Sequence, residues 1–294
     1  MKNKIYHIKK YFFILFIIIS CLLIFCKFGS NEISLFYITY QLKNNPISEK
    51  DIKIFVINLD HSTNRYNNIN KQFIDINLSY ERFSAVDGYA LPITNQKGEK
   101  FTGLDVKNNS SLLSLDNNYT IFCPSENINY YANSKILNRT LTAGEFGCYC
   151  SHREIWPKMV EENIPYALIL EDDAILEENF YQKFSTIIKS LPSDWDLAYL
   201  FLMHLPKQKF YKIYNNPYLK KTNTQRYFYT STGYLINLKA ATKLLKYSKS
   251  FSEPIDDSIA QEVADSRIQA YITTPFLITT DFKNSTIIEM GRPD

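Results

Sequence analysis

Three consecutive carboxylates, Glu171-Asp172-Asp173, are the residues of this sequence best suited to do chemistry. They follow Tyr166 to Leu170, a short apolar run typical of a buried strand. Three adjacent negative charges repel one another, and oxygen ligands of this kind suit Mg²⁺ or Mn²⁺. Such an ion can bridge a diphosphate and stabilise it as a leaving group. The alternative is structural, because acidic residues before a predicted helix favour its dipole.

The elements that must position these carboxylates alternate between strands and helices. Strands are predicted at 52–59, 80–86, 166–170, 196–201, 232–238 and 270–274, and helices at 64–76, 146–162, 179–189, 239–247 and 257–265. This alternation predicts a single α/β domain with a mostly parallel central sheet. The carboxylates would then lie at the C-terminal edge of that sheet, where open α/β folds bind ligands. Residues 94–135 are polar and Asn-rich, which favours loops and short elements.

Composition excludes one large class of partners. The net charge is +3, but four lysines before residue 11 supply +4, which leaves about −1 for the rest of the chain. No basic stripe exists of the kind that nucleic acid requires, so we expect no nucleic-acid binding. Cys123, Cys148 and Cys150 have neither disulfide-scaffold nor zinc-knuckle spacing, and we interpret them as small buried hydrophobic residues.

The N-terminus contains an uncharged apolar run from Tyr11 to Cys26. It is about 24 Å long as a helix, and flanking lysines that snorkel can extend it. We predict a cytoplasmic tail and transmembrane anchor over 1–28, a stem over 29–50 and a catalytic domain over 51–294. Lysines concentrated before the run predict a single-pass protein with a cytoplasmic N-terminus and the domain across the membrane. A cleaved signal peptide and association with the cytoplasmic face are the alternatives.

Five blocks of sequence resemble, in order, the motifs of the family 25 glycosyltransferases. They are Ile54 to Asp60 followed by Arg65, Glu81 to Gly88, Gly144 to Cys148 with Ser151-His152, Leu168 to Asp173, and Gly233 to Ile236 with Pro254-Ile255-Asp256. This family includes the lipooligosaccharide galactosyltransferases of bacteria and the collagen galactosyltransferases of animals. The resemblance covers residues 52–290, essentially everything beyond the stem.

The resemblance implies a GT-A-like fold and a metal-dependent, inverting transfer of a hexose, galactose in particular, from a UDP-sugar. The acceptor would be the hydroxyl group of a glycan, a lipooligosaccharide or another glycolipid. The cofactor would be Mn²⁺ or Mg²⁺. By the resemblance, Glu171 and Asp173 ligate the metal, and Glu171 and Asp172 also contact the donor. Further donor contacts would come from Arg65, Asp87 and Ser285.

An inverting transfer needs a general base that takes the proton of the acceptor hydroxyl. This base must face the donor from the side opposite the metal, so it should come from a different segment. Asp256 is the first candidate, Asp257 the second and Glu145 the third. Each has a structural alternative: the two aspartates precede a helical pattern, and Glu145 stands at capping-box spacing from Thr142. His152 falls in a family motif, but we interpret it as a hydrogen-bonded core histidine, with a catalytic role as the alternative.

Two other functions remain open at this point. A metal-dependent hydrolase would normally use more histidines than the four present, none of which is paired at ligand spacing. A non-catalytic carbohydrate-binding protein of the same fold is the second possibility. Metal-dependent turnover of a UDP-sugar would separate an enzyme from a binder, and dependence on an acceptor would separate a transferase from a hydrolase.

Overall fold

A computed structural model of the protein describes residues 47–134, 137–202, 210–212, 216–222 and 230–280. They all belong to one compact unit, Ile47–Asp294. The predicted anchor and most of the predicted stem lie outside the described residues, as does Ser285. In the part of the chain that is described, no helix is long and apolar enough to cross a membrane.

Strands and helices alternate along these residues. The strands are β1 (Ile52–Asn58), β2 (Glu81–Ser84), β3 (Pro92–Asn95), β4 (Lys100–Thr102), β5 (Asn118–Phe122), β6 (Asn127–Tyr131), β7 (Tyr166–Glu171), β8 (Ala174–Leu176), β9 (Leu197–Tyr199), β10 (Phe210–Lys212), β11 (Leu219–Thr222), β12 (Gly233–Asn237), β13 (Ser250–Phe251), β14 (Ala270–Thr273) and β15 (Ile278–Thr280). The helices are α1 (Thr63–Asp75), α2 (Gly103–Asn108), α3 (Ala143–Glu161), α4 (Phe180–Ser190), α5 (Leu238–Tyr247) and α6 (Ile255–Ala264), with 3₁₀ turns at Glu49–Asp51 and Ser110–Leu112. Each strand and helix expected from the alternation forms, with its ends shifted by a few residues.

The main sheet has the strand order β10-β11-β14-β9-β12-β7-β1-β2. The prediction that it is mostly parallel is wrong, because four of the seven neighbouring pairs are antiparallel. β7 and β9 do run parallel, as strands joined through a helix should. β12 then inserts between them in the opposite direction. The architecture is therefore a mixed α/β fold with a central sheet.

β7 and β1, the sixth and seventh strands in the order of the main sheet, pair in parallel over six residues. Phe55, Val56 and all residues from Ala167 to Leu170 are fully buried. Burial on both faces explains why these strands are continuous apolar runs without alternation. The polar residues Asn58 and Glu171 end the two strands, and Ile57 stands opposite Glu171 in the register. Polar groups thus lie at the C-terminal ends of neighbouring parallel strands, as predicted.

A second sheet, in the order β13-β6-β5-β3-β4, draws most of its strands from the region predicted to contain loops and short elements. Its strands are short and amphipathic: in β5 and β6 every second residue is buried. The inner face consists mainly of Tyr and Ile, such as Tyr130, whose ring centroid lies 4.9 Å from that of Phe146 in α3. This contact packs the second sheet against the helix that carries much of the candidate site.

Candidate active site

The carboxylates sit where the sequence places them. Glu171 is the last residue of β7, and Asp172 and Asp173 form the turn into β8. Asp172 accepts a hydrogen bond of 2.6 Å from Asn58 Nδ2, at the end of the neighbouring strand β1. The acidic run therefore belongs to the edge of a sheet, where its charges converge on one location.

Arg65, in the first turn of α1, pairs with two of these carboxylates. Its Nη2 contacts Asp172 Oδ1 and lies 3.5 Å from Asp173 Oδ2. The structure thus brings the predicted donor-binding arginine and the acidic run together. A guanidinium at this point has the geometry to bind phosphate oxygens as well as carboxylates.

Glu171 is held by hydrogen-bonding partners on two other elements. Its Oε1 accepts a hydrogen bond from Ser231 Oγ and lies 3.2 Å from His152 Nε2. The other ring nitrogen of His152 lies 3.1 Å from the hydroxyl oxygen of Tyr234. Burial alone would raise the pKa of Glu171, but these hydrogen bonds and the nearby His152 and Arg65 bring it below its usual value. These contacts therefore fix the orientation of the Glu171 side chain and favour its charged form.

Asp173 is the member of the run whose charge is least compensated. Burial, and then the charge of Glu171, raise the pKa of Asp173 to about 7. Its buried Oδ1 makes no hydrogen bond among the described residues. A divalent cation coordinated by Glu171 and Asp173 would satisfy this oxygen and oppose the repulsion. The donor set, all carboxylate oxygen, fits Mg²⁺ or Mn²⁺.

A small cleft, open to solvent, adjoins these carboxylates. It lies between the ends of β1 and β7, the loop after β2, and the N-terminal half of α3. Arg65, Glu171 and Asp172 line one side, and Gly88, Gly147 and Cys148 line another. Asp87 is not among the lining residues; its Oδ1 accepts a hydrogen bond from the backbone N–H of Tyr89, 2.9 Å away. Asp87 thus closes a turn whose neighbours, Val86 and Gly88, face the cleft.

Glycines set the width of this cleft by letting the loop after β2 touch α3. A Cβ on Gly88 would lie 1.9 Å from the carbonyl oxygen of Ala143, and one on Gly147 would lie 2.7 Å from Gly88 N. Ser151 Oγ adds a hydrogen bond of 2.8 Å from the backbone N–H of Val86. The backbone of the loop after β2 therefore packs directly on the backbone of α3. This close approach explains why Gly88 and Gly147 have no side chain.

We expect Gly88→Ala to destabilise the protein by about 3 kcal/mol or more, since the added methyl group meets backbone that cannot rotate away. Gly98→Ala is the matched control: Gly98 has φ of +81° but nothing within 4 Å of a Cβ. Its replacement should cost only about 1 kcal/mol, for the left-handed backbone. Urea unfolding followed by circular dichroism measures both, and equal losses would contradict the proposed close packing.

The two candidate bases on α6 differ in their access to solvent. Asp257 is only 2% exposed, whereas Asp256 is half-buried and accepts a hydrogen bond from the Asp257 backbone N–H at 3.1 Å. Burial raises the pKa of the Cys148 thiol, and the charges of Glu171, Asp256 and Asp173 raise it further. The charges of Glu171, Asp173 and Asp256 therefore act on the same thiol, although Asp256 lies on a separate element.

Glu145 has a structural partner set. Thr142 and Glu145 form the predicted capping box of α3, and Arg139 donates two hydrogen bonds of 2.8 Å to its carboxylate. The side chain is 2% exposed. These contacts give Glu145 a structural role, because they stabilise the N-terminus of α3.

Cys123 and Cys150 are buried, as expected, but the interpretation that they make no disulfide is wrong, and Cys148 is only half-buried. Cys123, just after β5, and Cys150, in α3, form a disulfide with Cα atoms 5.6 Å apart. The pair is 27 residues apart in sequence, and the intervening strand and helix bring it together. Cys148 is a free thiol on the wall of the cleft.

The model of glycosyltransferase family 25, described as an LPS biosynthesis protein, matches residues 51–259, most of the chain. The chain belongs to glycosyltransferase family 25. The match includes Arg65, the acidic run, Asp256 and Asp257, and it ends before Ser285.

Curated relatives support the same family. A "Glycosyltransferase 25 family member" of Anopheles gambiae is 31% identical over 195 residues, which are 66% of this chain and 28% of the relative. "Procollagen galactosyltransferase 1-A" of Xenopus laevis is 28% identical over 200 residues, again 66% and 28%. A "Probable inactive glycosyltransferase 25 family member 3" of Bos taurus is 31% identical over 110 residues, 36% of this chain and 18% of the relative. The matched region thus spans under a third of each relative.

Proposed function

We propose that this family 25 protein is an inverting, metal-dependent hexosyltransferase. It moves a sugar, galactose in particular, from a UDP-sugar to a hydroxyl group of a glycan or glycolipid acceptor. The observation that carries the proposal is the acidic run at the sheet edge: Glu171 and Asp172 line an open cleft, and the buried Oδ1 of the adjacent Asp173 has no hydrogen-bond partner among the described residues. The procollagen galactosyltransferase name of one relative supports galactose as the donor sugar. We assign the GT-A class of fold on the same grounds.

Glu171 and Asp173 hold the metal in this proposal, and the ion supplies charge stabilisation to the departing diphosphate. Arg65 is close enough to share that task. Its guanidinium pairs with Asp172 and Asp173 in this structure and could also bind the phosphate oxygens of the donor. The nucleoside occupies the cleft between β1 and α3, where Gly88 and Gly147 leave room for close backbone contact.

Asp256 acts as the general base in this proposal. It lies on α6, a different element from the acidic run, and its carboxylate is half-exposed. Removing the hydroxyl proton as the oxygen attacks the anomeric carbon gives inversion, because the leaving diphosphate lies on the other face of the sugar. Asp257 is too buried for this role, and Glu145 is occupied as a helix cap.

The membrane anchor and the orientation of the domain also remain proposals. We place Tyr11 to Cys26 across the membrane, with the catalytic domain on the side opposite the cytoplasm. The Cys123–Cys150 disulfide supports this orientation, because such bonds persist in oxidising compartments and are rare in the cytosol.

A screen of UDP-sugars tests the function directly. The full-length chain in mild detergent is incubated with each UDP-sugar and Mn²⁺, with and without glycan acceptors, and UDP release is measured. Acceptor-dependent release supports a transferase, while release with water alone indicates a hydrolase. No release from any donor, with UDP still bound, would favour the non-catalytic alternative, which the bovine relative named as probably inactive keeps open.

A further inference from the structure

Cys148, His152 and Glu171 lie together on one wall of the cleft. Cys148 and His152 are four residues apart in α3, so their side chains project from the same face of the helix. Glu171 reaches them from the end of β7. One ligand atom from each, the thiol sulfur, an imidazole nitrogen and a carboxylate oxygen, all fall within 4.8 Å of one another.

We propose that these three residues form a binding site for a thiophilic divalent cation, Zn²⁺ in the first place. Tetrahedral zinc with usual bond lengths has ligand atoms about 3.3–3.8 Å apart. The His152 nitrogen and the Glu171 oxygen lie 3.2 Å apart, and all three ligand atoms fall within 4.8 Å, so a side-chain shift of at most about 1–1.5 Å would close the site. The three residues match the type of three-ligand zinc set that leaves the fourth position open.

The surroundings of the three ligands are those of an oriented metal site. His152 is fully buried, and the contact of its Nδ1 with the Tyr234 hydroxyl directs Nε2 toward Glu171. Ser231 fixes the Glu171 carboxylate with a second hydrogen bond. Metal-ligating histidines and carboxylates in proteins are held in the same way by outer-shell partners. All three ligands line the cleft, so a water molecule in it can complete the coordination.

Ligand chemistry distinguishes this site from the proposed carboxylate site that Glu171 and Asp173 form. Mn²⁺ and Mg²⁺ prefer carboxylate oxygens, whereas a thiolate and an imidazole select zinc and similar ions. Glu171 belongs to both sites. A zinc ion bound by Cys148 and His152 therefore competes for Glu171 with a Mn²⁺ ion bound by Asp173. This last step rests on the proposed function: micromolar Zn²⁺ should inhibit transfer, and excess Mn²⁺ should relieve the inhibition.

Cobalt spectroscopy tests binding without any assay of transfer. The full-length chain, without reductant and with Cys21→Ser and Cys26→Ser to remove other free thiols, is titrated with Co²⁺. We expect one equivalent to give the near-ultraviolet charge-transfer band of a cobalt–thiolate bond and the intense visible bands of four-coordinate cobalt. Zn²⁺ should then displace the cobalt.

Two variants locate the ligands. Cys148→Ser should abolish the charge-transfer band and raise the Kd for Zn²⁺ about 100-fold, and Tyr234→Phe should raise it about tenfold. A thiolate band that survives in Cys148→Ser, or its absence in the parent protein, overturns the proposal. Because the parent spectrum does not depend on the folding of Cys148→Ser or Tyr234→Phe, misfolding of either variant leaves the test valid. Inactivity of the chain toward every UDP-sugar would reject the proposed function and leave the cobalt result standing.

Discussion

Asp173→Asn should reduce the rate of sugar transfer by a factor on the order of 10³ or more, while the protein stays folded. Lewis-acid stabilisation by a metal is worth several kcal/mol, and each 1.36 kcal/mol is tenfold in rate. Asn keeps the shape of the side chain but removes the charge that a hard cation requires. Loss of that charge also relieves the repulsion from Glu171 that raises the pKa of Asp173, so stability should not fall.

Asp116→Asn is the matched control for this substitution. Asp116 is an exposed residue with φ of 67°, a conformation that Asn tolerates well, and it lies in the turn before β5. Transfer rates at saturating donor and Mn²⁺, together with thermal unfolding, are measured for both variants. Full activity in Asp173→Asn with unchanged Mn²⁺ dependence would reject this residue as a metal ligand.

Asp256→Asn should lower turnover by a factor on the order of 10² or more, because general-base help is typically worth that much. Its affinity for UDP-sugar and for Mn²⁺ should remain nearly that of the unchanged protein, since Asp256 faces the acceptor in this account. The measurement compares kcat from acceptor-dependent UDP release with donor affinity from calorimetry.

Asp257→Asn provides the neighbouring control. This carboxylate is 2% exposed, so its replacement should affect stability more than turnover. If Asp256→Asn loses donor or metal affinity instead of turnover, Asp256 belongs to the donor site. A larger loss of turnover in Asp257→Asn would show that the wrong aspartate of the pair was chosen.

The strands β1 and β7 and the longer helices of the domain can be predicted from the sequence, because each depends on local patterns. β1 and β7 are buried on both faces and therefore read as continuous apolar runs. The start of α3 was visible in the capping pair Thr142 and Glu145. The direction of β12 was not predictable in this way, since pairing with β7 and β9 is a property of the tertiary fold.

The second sheet escaped prediction for a compositional reason. In β6 the buried positions Ile128 and Tyr130 alternate with Asn127, Asn129 and Tyr131, a period of two that signals a half-buried strand. The surrounding Asn-rich sequence hides this signal, because Asn is depleted in strands and enriched in turns. For β6, the two-residue period of the apolar positions indicates a strand more reliably than the Asn-rich composition indicates a loop.

The acidic run and Arg65 were identified from sequence, and the structure brings them into contact. The supporting residues were missed because their roles exist only in three dimensions. Asn58 was visible as a polar residue ending an apolar strand, but its bond to Asp172 spans 114 residues. Ser231 and Tyr234 come from β12 and the residues before it, whose place beside β7 was not predictable.

The dependence of UDP binding on metal tests the central claim most directly. UDP is titrated calorimetrically into the full-length protein in detergent, once with Mn²⁺ and once with EDTA. If Glu171 and Asp173 form a metal site that receives the diphosphate, Mn²⁺ should tighten UDP binding about tenfold or more, and Asp173→Asn should remove that gain. Equal affinity for UDP with Mn²⁺ and with EDTA would contradict the account.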